Sequence, residues 1–451
     1  MAESTDQTLH PARVIRREDF ALSPVPASER RGLASLFSAT LGIPSALVFF
    51  AVGGALGQAY GTVALVTGLI VASMIIGGAG IVLTSFAARS GLDSDLISIR
   101  AGFGLAGSAI TSVIYSVNFV VLYTLETGII ASAVHAQYPG FPKAILFVLV
   151  AAVVLTLTWY GISSLSKAMS LTLPLFLVLI VVAATQVGSA EHGSFWSYVP
   201  ASGSIDATAW LSVLAALLAF IVNATVAADI GRFLRPEQRR TGVLLFGGVL
   251  QVIAFGGATL LGAWFSFRLG GDSQPGAYLV SLMGGWGLLC VLLSQVRINM
   301  INAYSGSLSL SNFGARGLGL RPGRHVWMVG LVAVSSGLAM FDVASQLVQI
   351  LTFEAVFVMA WVATLVAYIV CFDLDTPREG SRQNLDDAPN ADPVGLGALA
   401  AALAVATPFA FGAGGELGIA LAPLMAMVVS PVCVVALRRW ARVEKRAAHA
   451  V

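Results

Sequence analysis

Long apolar runs, separated by short polar stretches, dominate the chain. Twelve of them can be drawn, at residues 34–59, 61–87, 106–136, 143–160, 167–188, 208–231, 241–267, 285–311, 324–340, 343–371, 395–413 and 417–438. A helix that crosses a bilayer needs ~20 mostly apolar residues, and most of these runs have them. The pattern predicts an all-α integral membrane protein with twelve spanning helices. An even number of spans puts both termini on one side.

Composition strengthens this reading. Of 451 residues, 57% are hydrophobic and only 11% are charged, which no soluble domain of this length matches. The net charge of +2 carries no bulk basic signal for nucleic acid, so the expected partners are a lipid bilayer and a small molecule. The placement of charge says more than its sum. Of the 25 Lys and Arg residues, only Lys143 and Arg268 fall in loops of one face, and Arg297 falls inside a span. The rest lie in the two tails and in the loops after even-numbered spans. The positive-inside rule makes that basic side cytoplasmic, in a plasma (inner) membrane. The polar first 33 residues then read as a cytoplasmic tail rather than a signal peptide.

The chain divides accordingly into a tail (1–33), a ten-helix core (34–372), a polar linker (373–394), two further helices (395–438) and a basic tail (439–451). Ten helices ahead of a linker fit a five-plus-five inverted repeat, a common plan among transporters. In that plan the first helix of each repeat is discontinuous. Span 1 carries Gly42-Ile43-Pro44-Ser45, where proline removes a donor and frees carbonyls. A simple proline kink is the other reading. Span 6 has Asn223-Ala224-Thr225 at similar depth without Gly or Pro, so a break there is inferred from Asn and Thr alone.

Ionisable residues at depth are few, and each costs at least ~2.5–3.5 kcal/mol on insertion scales. Arg297 lies mid-way along span 8, Glu126 in the outer half of span 3 and Glu354 in span 10. Their residue types point either to substrate binding and proton coupling or to a structural ion pair. Asp229, at the end of span 6 beside Arg232, reads as half of a helix-end ion pair. Span 8 also holds a polar run that includes Ser294, Gln295, Asn299, Asn302 and several later serines. The late serines suit helix–helix contact, whereas Asn299 and Asn302 sit too deep for that alone. Phe49 and Phe50, Tyr115, Phe119 and Tyr123, and Phe220 supply rings near the span 1 break, able to stack on a planar ligand. Cys290, Cys371 and Cys433 lie in apolar runs, and the five histidines are scattered. Neither set has metal-ligand spacing, and no cofactor is expected. The sparse histidines also argue against a membrane enzyme. The polar groups sit on non-equivalent helices, which argues against a channel.

Four segments resemble the nucleobase–cation symporter family that contains cytosine permease and the hydantoin transporter, within the amino acid-polyamine-organocation superfamily. They are Gly53-Gly54-Ala55-Leu56-Gly57, Ser90-Gly91-Leu92 through Gly102-Phe103-Gly104-Leu105-Ala106-Gly107-Ser108, Ala228-Asp229-Ile230-Gly231-Arg232-Phe233, and Asn302 through Asn312. The resemblance implies a LeuT-like ten-helix core plus two helices. It implies a symporter that imports a nucleobase-sized ligand held between helices 1, 3, 6, 8 and 10. By position, Phe220 would be a substrate-contacting aromatic, with Asn223 close by. Two features depart from the family. Leu122, with Tyr123 adjacent, stands where cytosine permease-like sequences have a stacking Trp. Arg297 and Ile298 stand where sodium-coupled members have paired hydroxyls. Glu126 also aligns with a small residue of the family.

The expected ligand contacts are therefore Ser45, Phe49, Tyr123, Glu126, Phe220, Asn223, Asn299, Asn302 and Glu354. Arg297 is the expected substitute for the coupling ion, and a proton on Glu126 or Glu354 the expected coupling partner. The alternative is a cationic amine or guanidino substrate held by Glu126 and Glu354.

Overall fold

The computed structural model describes residues 19–187, 193–200, 206–341, 346–372 and 385–448. The first part of the 373–394 linker, most of the N-terminal tail and the expected start of span 10 at 343 lie outside the described residues. Apolar runs fold as helices because a bilayer offers backbone groups no partners of its own. Among the described residues, nine helices are long and apolar enough to cross a membrane. Nine is fewer than the twelve runs of the sequence; the difference lies at a kink at Gly61, where two runs join in one long helix, and in two shorter helices, Lys143–Thr158 and Arg324–Leu338.

The helices used below are α1 (Leu33–Thr40), α2 (Leu47–Ser90), α3 (Gly104–Gln137), α4 (Lys143–Thr158), α5 (Ile162–Gln186), α6 (Ala207–Leu218), α7 (Val222–Gly231), α8 (Ala258–Arg268), α9 (Pro275–Met283), α10 (Gly285–Gly317), α11 (Arg324–Leu338), α12 (Leu347–Phe372), α13 (Pro393–Ala410) and α14 (Gly415–Ala448). Span 1 is α1 together with the first limb of α2. Its interruption falls on the proline: a 3₁₀ turn covers Ile43–Ser45, and Ala46 is extended at φ −64°, ψ 120°. Span 6 is different. Its two parts, α6 and α7, are joined by a 3₁₀ turn at Ala219–Ile221, and the flanking residues keep helical torsions. The expected break at Asn223-Ala224-Thr225 is corrected to a local tightening one turn earlier. Neither Gly nor Pro is present to stop the helix, and the Thr225 hydroxyl donates back to the Val222 carbonyl at 2.6 Å.

Small residues set the closest helix contacts, as lipid-embedded bundles require. Gly53 and Gly57, four apart, face Thr259 and Ala263 of α8. A Cβ on Gly53 would stand 1.9 Å from the Thr259 carbonyl oxygen, and one on Gly262 would stand 2.1 Å from the Phe50 Cα. Both obstacles are backbone. Gly53→Ala and Gly262→Ala are expected to destabilise the protein by about 1–3 kcal/mol or more. Gly78→Ala, with nothing within 4 Å of its new methyl, should be silent. Thermal denaturation in one detergent compares the three, and equal midpoints would refute this account of the packing.

The face that carries most of the basic loops is sealed by the chain before α1. Arg31 N–H donates to the Phe233 carbonyl at 2.6 Å and Arg235 N–H to the Arg31 carbonyl at 3.2 Å. Val25 N–H donates to the Gly91 carbonyl, and the Asp19 carboxylate accepts from Ile162 N–H at 3.0 Å. Arg232 ties the same segment down. It donates to the carbonyls of Asp19 and Phe20 and pairs with Asp93 at 2.7 Å, both side chains fully buried. The expected Asp229–Arg232 pair is not the contact made. Asp229 accepts instead from Ser94 N–H at 3.0 Å and from the Tyr115 hydroxyl at 2.7 Å. The opposite face holds an open vestibule of about 430 Å³ between α2, α3, the Ser273–Gly276 loop and the start of α12.

Candidate functional site

Proline at position 44 leaves two half-helix ends facing each other in the middle of the bundle. Such ends carry free backbone groups and opposite partial charges, carbonyls on α1 and N–H groups on α2. The structure fills both ends with its own side chains. At the α1 end, Arg297 donates through Nη2 to the Leu41 carbonyl at 2.7 Å. Its guanidinium lies over Phe176 of α5, 5.5 Å from the ring centroid, and its Nε points to the Met169 sulfur at 3.5 Å. At the α2 end, Gln295 Oε1 accepts from Leu47 N–H at 3.2 Å, and the Val48 amide faces the Glu126 carboxylate. Gln295 in turn donates through Nε2 to that carboxylate and to the Glu126 carbonyl. The Ser294 hydroxyl donates to the Ser45 carbonyl, which closes the loop around the break.

Arg297 thus pairs with neither deep acid. It is turned toward α1 and α5, while Glu126 is turned toward α2 and α10. One guanidinium nitrogen, Nη1, is buried without a hydrogen-bond partner.

Beside the break lies a cavity of about 20 Å³, enough for roughly one water. Phe49, Glu126, Phe220, Asn223 and Asn302 line it, so five of the expected contacts converge. The vestibule above shares Val48 with it, which makes that residue the partition between the two. The rings pack on each other: Phe49 and Phe220 meet at 4.9 Å and 67°, with Phe255 5.5–5.7 Å from both. The Asn223 Nδ2 donor is buried and has no partner.

The remaining expected contacts fall elsewhere. Tyr123 does not line the cavity. Phe119, Leu122 and Glu126 do, and they share one helical face, while Tyr123 is turned about 100° away from Leu122, with Ser336 beside its hydroxyl. The Ser45 hydroxyl is spent within the turn on the Gly42 carbonyl at 2.7 Å. Asn299 binds Thr127 of α3 at 3.2 Å and accepts from Asn302 at 3.2 Å, which makes it a strut behind the cavity. Glu354 is buried outside the lining. Neither of its oxygens has a hydrogen-bond partner, and Asn118 is the polar side chain that faces it.

Sequence reasoning passed over Gln295 and Asn118 as contributors and did not find the Asp93–Arg232 pair. Gln295 was visible only as one member of a polar run. Asp93 and Arg232 lie 139 residues apart, and nothing local links them. Among the described residues no group of three or more His, Cys, Asp or Glu side chains is arranged to hold a metal ion.

No protein-family model matches the chain, and no curated protein sequence matches it. Solved structures do. Mhp1, a nucleobase-cation-symport-1 family transporter, in a closed conformation with bromovinylhydantoin bound, superposes with a TM-score of 0.63 at 17% identity, covering 92% of this chain and 94% of that one. A Na+-coupled sialic acid symporter in a substrate-bound outward-open state gives 0.59 at 12% identity over 94% of each chain. A manganese transporter of Eremococcus coleocola gives 0.54 at 12% identity, covering 89% of this chain and 95% of that one. The likeness is one of fold: the chain has the all-α, LeuT-like five-plus-five architecture of these membrane transporters.

Proposed function

We propose that the chain is a multi-pass membrane secondary transporter, a symporter that imports a small, planar, nitrogen-rich compound of nucleobase-like shape. We assign it proton coupling without sodium and place both termini in the cytoplasm. The observation that carries this reading is the filled break. In folds of this kind the half-helix C-terminus holds the cation and the half-helix N-terminus faces the anionic group of a substrate. Here Arg297 stands at the first and Glu126, with Gln295, at the second. A fixed cation removes the need for sodium, and a fixed carboxylate disfavours an anionic ligand. Widened beyond the one-water volume it has here, the cavity suits a neutral heterocycle that donates N–H to Glu126 and accepts from Asn223, held among Phe49, Phe119 and Phe220. Glu354, buried without a partner, has the setting of a group that takes and releases a proton. No cofactor is assigned.

A second reading has support of its own. Glu126 lines the cavity and no Lys, Arg or His does. That favours an amine or guanidino cation equally well, with Glu354 as a second acid.

Uptake into proteoliposomes decides between them. Labelled cytosine, hydantoin and agmatine serve as probes, each with an inward proton gradient and with a protonophore. Accumulation of a neutral heterocycle that collapses with the protonophore supports the first reading. Accumulation of agmatine alone supports the second, and gradient-independent exchange of every probe refutes coupling. Phe220→Ala and Asn223→Ala are expected to raise KM for the transported probe about tenfold, the scale of one lost ring contact or hydrogen bond. Asn223→Ala should leave folding unchanged, whereas Phe220→Ala should also lower stability, because it empties a packed ring site. Unaltered KM in both variants would remove the cavity from the transport path.

A further inference from the structure

We propose that Gln295 is the positioning residue through which the break in the first helix reads the state of the Glu126 carboxylate. The inference rests on the reading of Glu126 as a group that takes up a proton or a ligand N–H. It concerns the link from that event to movement of the chain.

The amide of Gln295 is used on both sides. Its Oε1 holds Leu47 N–H, the first free donor of α2, at 3.2 Å. Its Nε2 reaches the Glu126 carbonyl at 3.2 Å and the Glu126 carboxylate. Ser294 supplies a third link, its hydroxyl within 2.9 Å of Gln295 Oε1 and bonded to the Ser45 carbonyl within the break itself. A single rigid amide therefore spans α3, α10 and the start of α2. It cannot shift toward one helix without loosening its hold on another.

The donor–carboxylate bond is the variable part. An N–H bond to an ionised carboxylate is about twice as strong as one between neutral groups. When the carboxylate is neutralised or turned toward a ligand, Gln295 is held less firmly, and Leu47 N–H loses its cap. Val48, the next residue, is the partition between the cavity and the vestibule. The capped end of α2 and the partition of the pathway are thus adjacent residues.

Among the described residues, no other titratable side chain presses on this carboxylate. From α10, Arg297 is turned to Leu41 and Met169. From α3, Tyr123 lies on another face. From α7, Asn223 does not titrate. From α12, Glu354 faces Asn118. A pH response of the partition would therefore report Glu126.

The test needs no identified ligand. Ser132, which lines the vestibule, is changed to cysteine in a background where Cys290, Cys371 and Cys433 are alanine. Labelling by a membrane-impermeant maleimide is followed in proteoliposomes at several pH values, each rate corrected for thiolate content with an exposed control cysteine. The corrected rate of the background should change about tenfold across the range, a population shift between two gate states. Glu126→Gln should flatten that response. Gln295→Leu, and the unbranched, non-titrating Gln295→Met as a check on folding, should flatten it equally. If Glu126→Gln is flat while both Gln295 variants keep the background slope, the inference falls and the coupling reading stands. A uniform change in rate with the slope kept shows a merely structural amide and overturns it too. If Glu126→Gln keeps the slope, coupling through Glu126 is wrong and the inference falls with it.

Discussion

Arg297→Ala should reduce sodium-free uptake by at least about a hundredfold, the scale of losing two charge-assisted contacts in a water-poor site. The parent should transport at full rate with no sodium present. The argument begins with the end of α1. Its last carbonyls have no helical partners and carry the negative end of the helix dipole. A guanidinium 2.7 Å from the Leu41 oxygen answers that need permanently, since arginine stays protonated at any working pH. Alanine leaves the carbonyl and the adjoining space without charge, and the end of α1 loses its tie to α10 and α5. Arg297→Lys should retain part of the activity, because it keeps the charge but not the planar fork that also covers Phe176. Steep sodium dependence in the parent would defeat the proposal. So would an Arg297→Ala variant that transports normally without the ion. An Arg297→Ala variant that regains transport only when sodium is added would strengthen it, since the ion would then occupy the place that arginine has left.

The parts of this site that were legible in the sequence are those with a local cause. Pro44 removes a backbone donor from its own helix, so a break or a kink in span 1 was readable, but not which of the two, since Pro174 sits inside the continuous α5. Deep charges are rare enough to be noticed one at a time, which singled out Glu126, Arg297 and Glu354. What they touch was not readable, because rotation about a helix axis decides it. One residue of rotation separates Leu122, in the cavity, from Tyr123, outside it. The same rotation puts Arg297 and Gln295, two residues apart, at opposite ends of the break. Asn and Thr in span 6 suggested a break because they can replace backbone partners. The helix had no need of the replacement, since nothing there removes a donor.

Arg232→Ala should cost the fold about 3–5 kcal/mol, the range found when one partner of a buried ion pair is removed. Asp93 is the reason. Burial pushes its carboxyl up to about 6 even with the guanidinium 2.7 Å away, so desolvation outweighs the attraction of its partner. The pair therefore adds little net stability as a pair, yet neither member can be left alone. Alanine at 232 would strand the carboxylate and would also free the carbonyls of Asp19 and Phe20, which Arg232 holds at 3.1–3.2 Å. The strap before α1 would keep its links to Ala88, Gly91, Ile162, Ser163 and the Phe233–Arg235 turn but lose the buried anchor at its start. Two consequences can be separated. Chemical denaturation in micelles measures the stability loss, and an Arg232→Met/Asp93→Leu double variant should recover most of it, because an apolar pair of similar volume carries no stranded charge. The strap contacts do not return in that double variant. Proteolysis between residues 19 and 31 should accordingly stay faster than in the parent while global stability recovers. A single Arg232→Ala variant as stable as the parent would show that the Asp93 carboxylate finds water or another donor. A double variant as weak as the single ones would show that the strap, rather than the stranded charge, accounts for the loss.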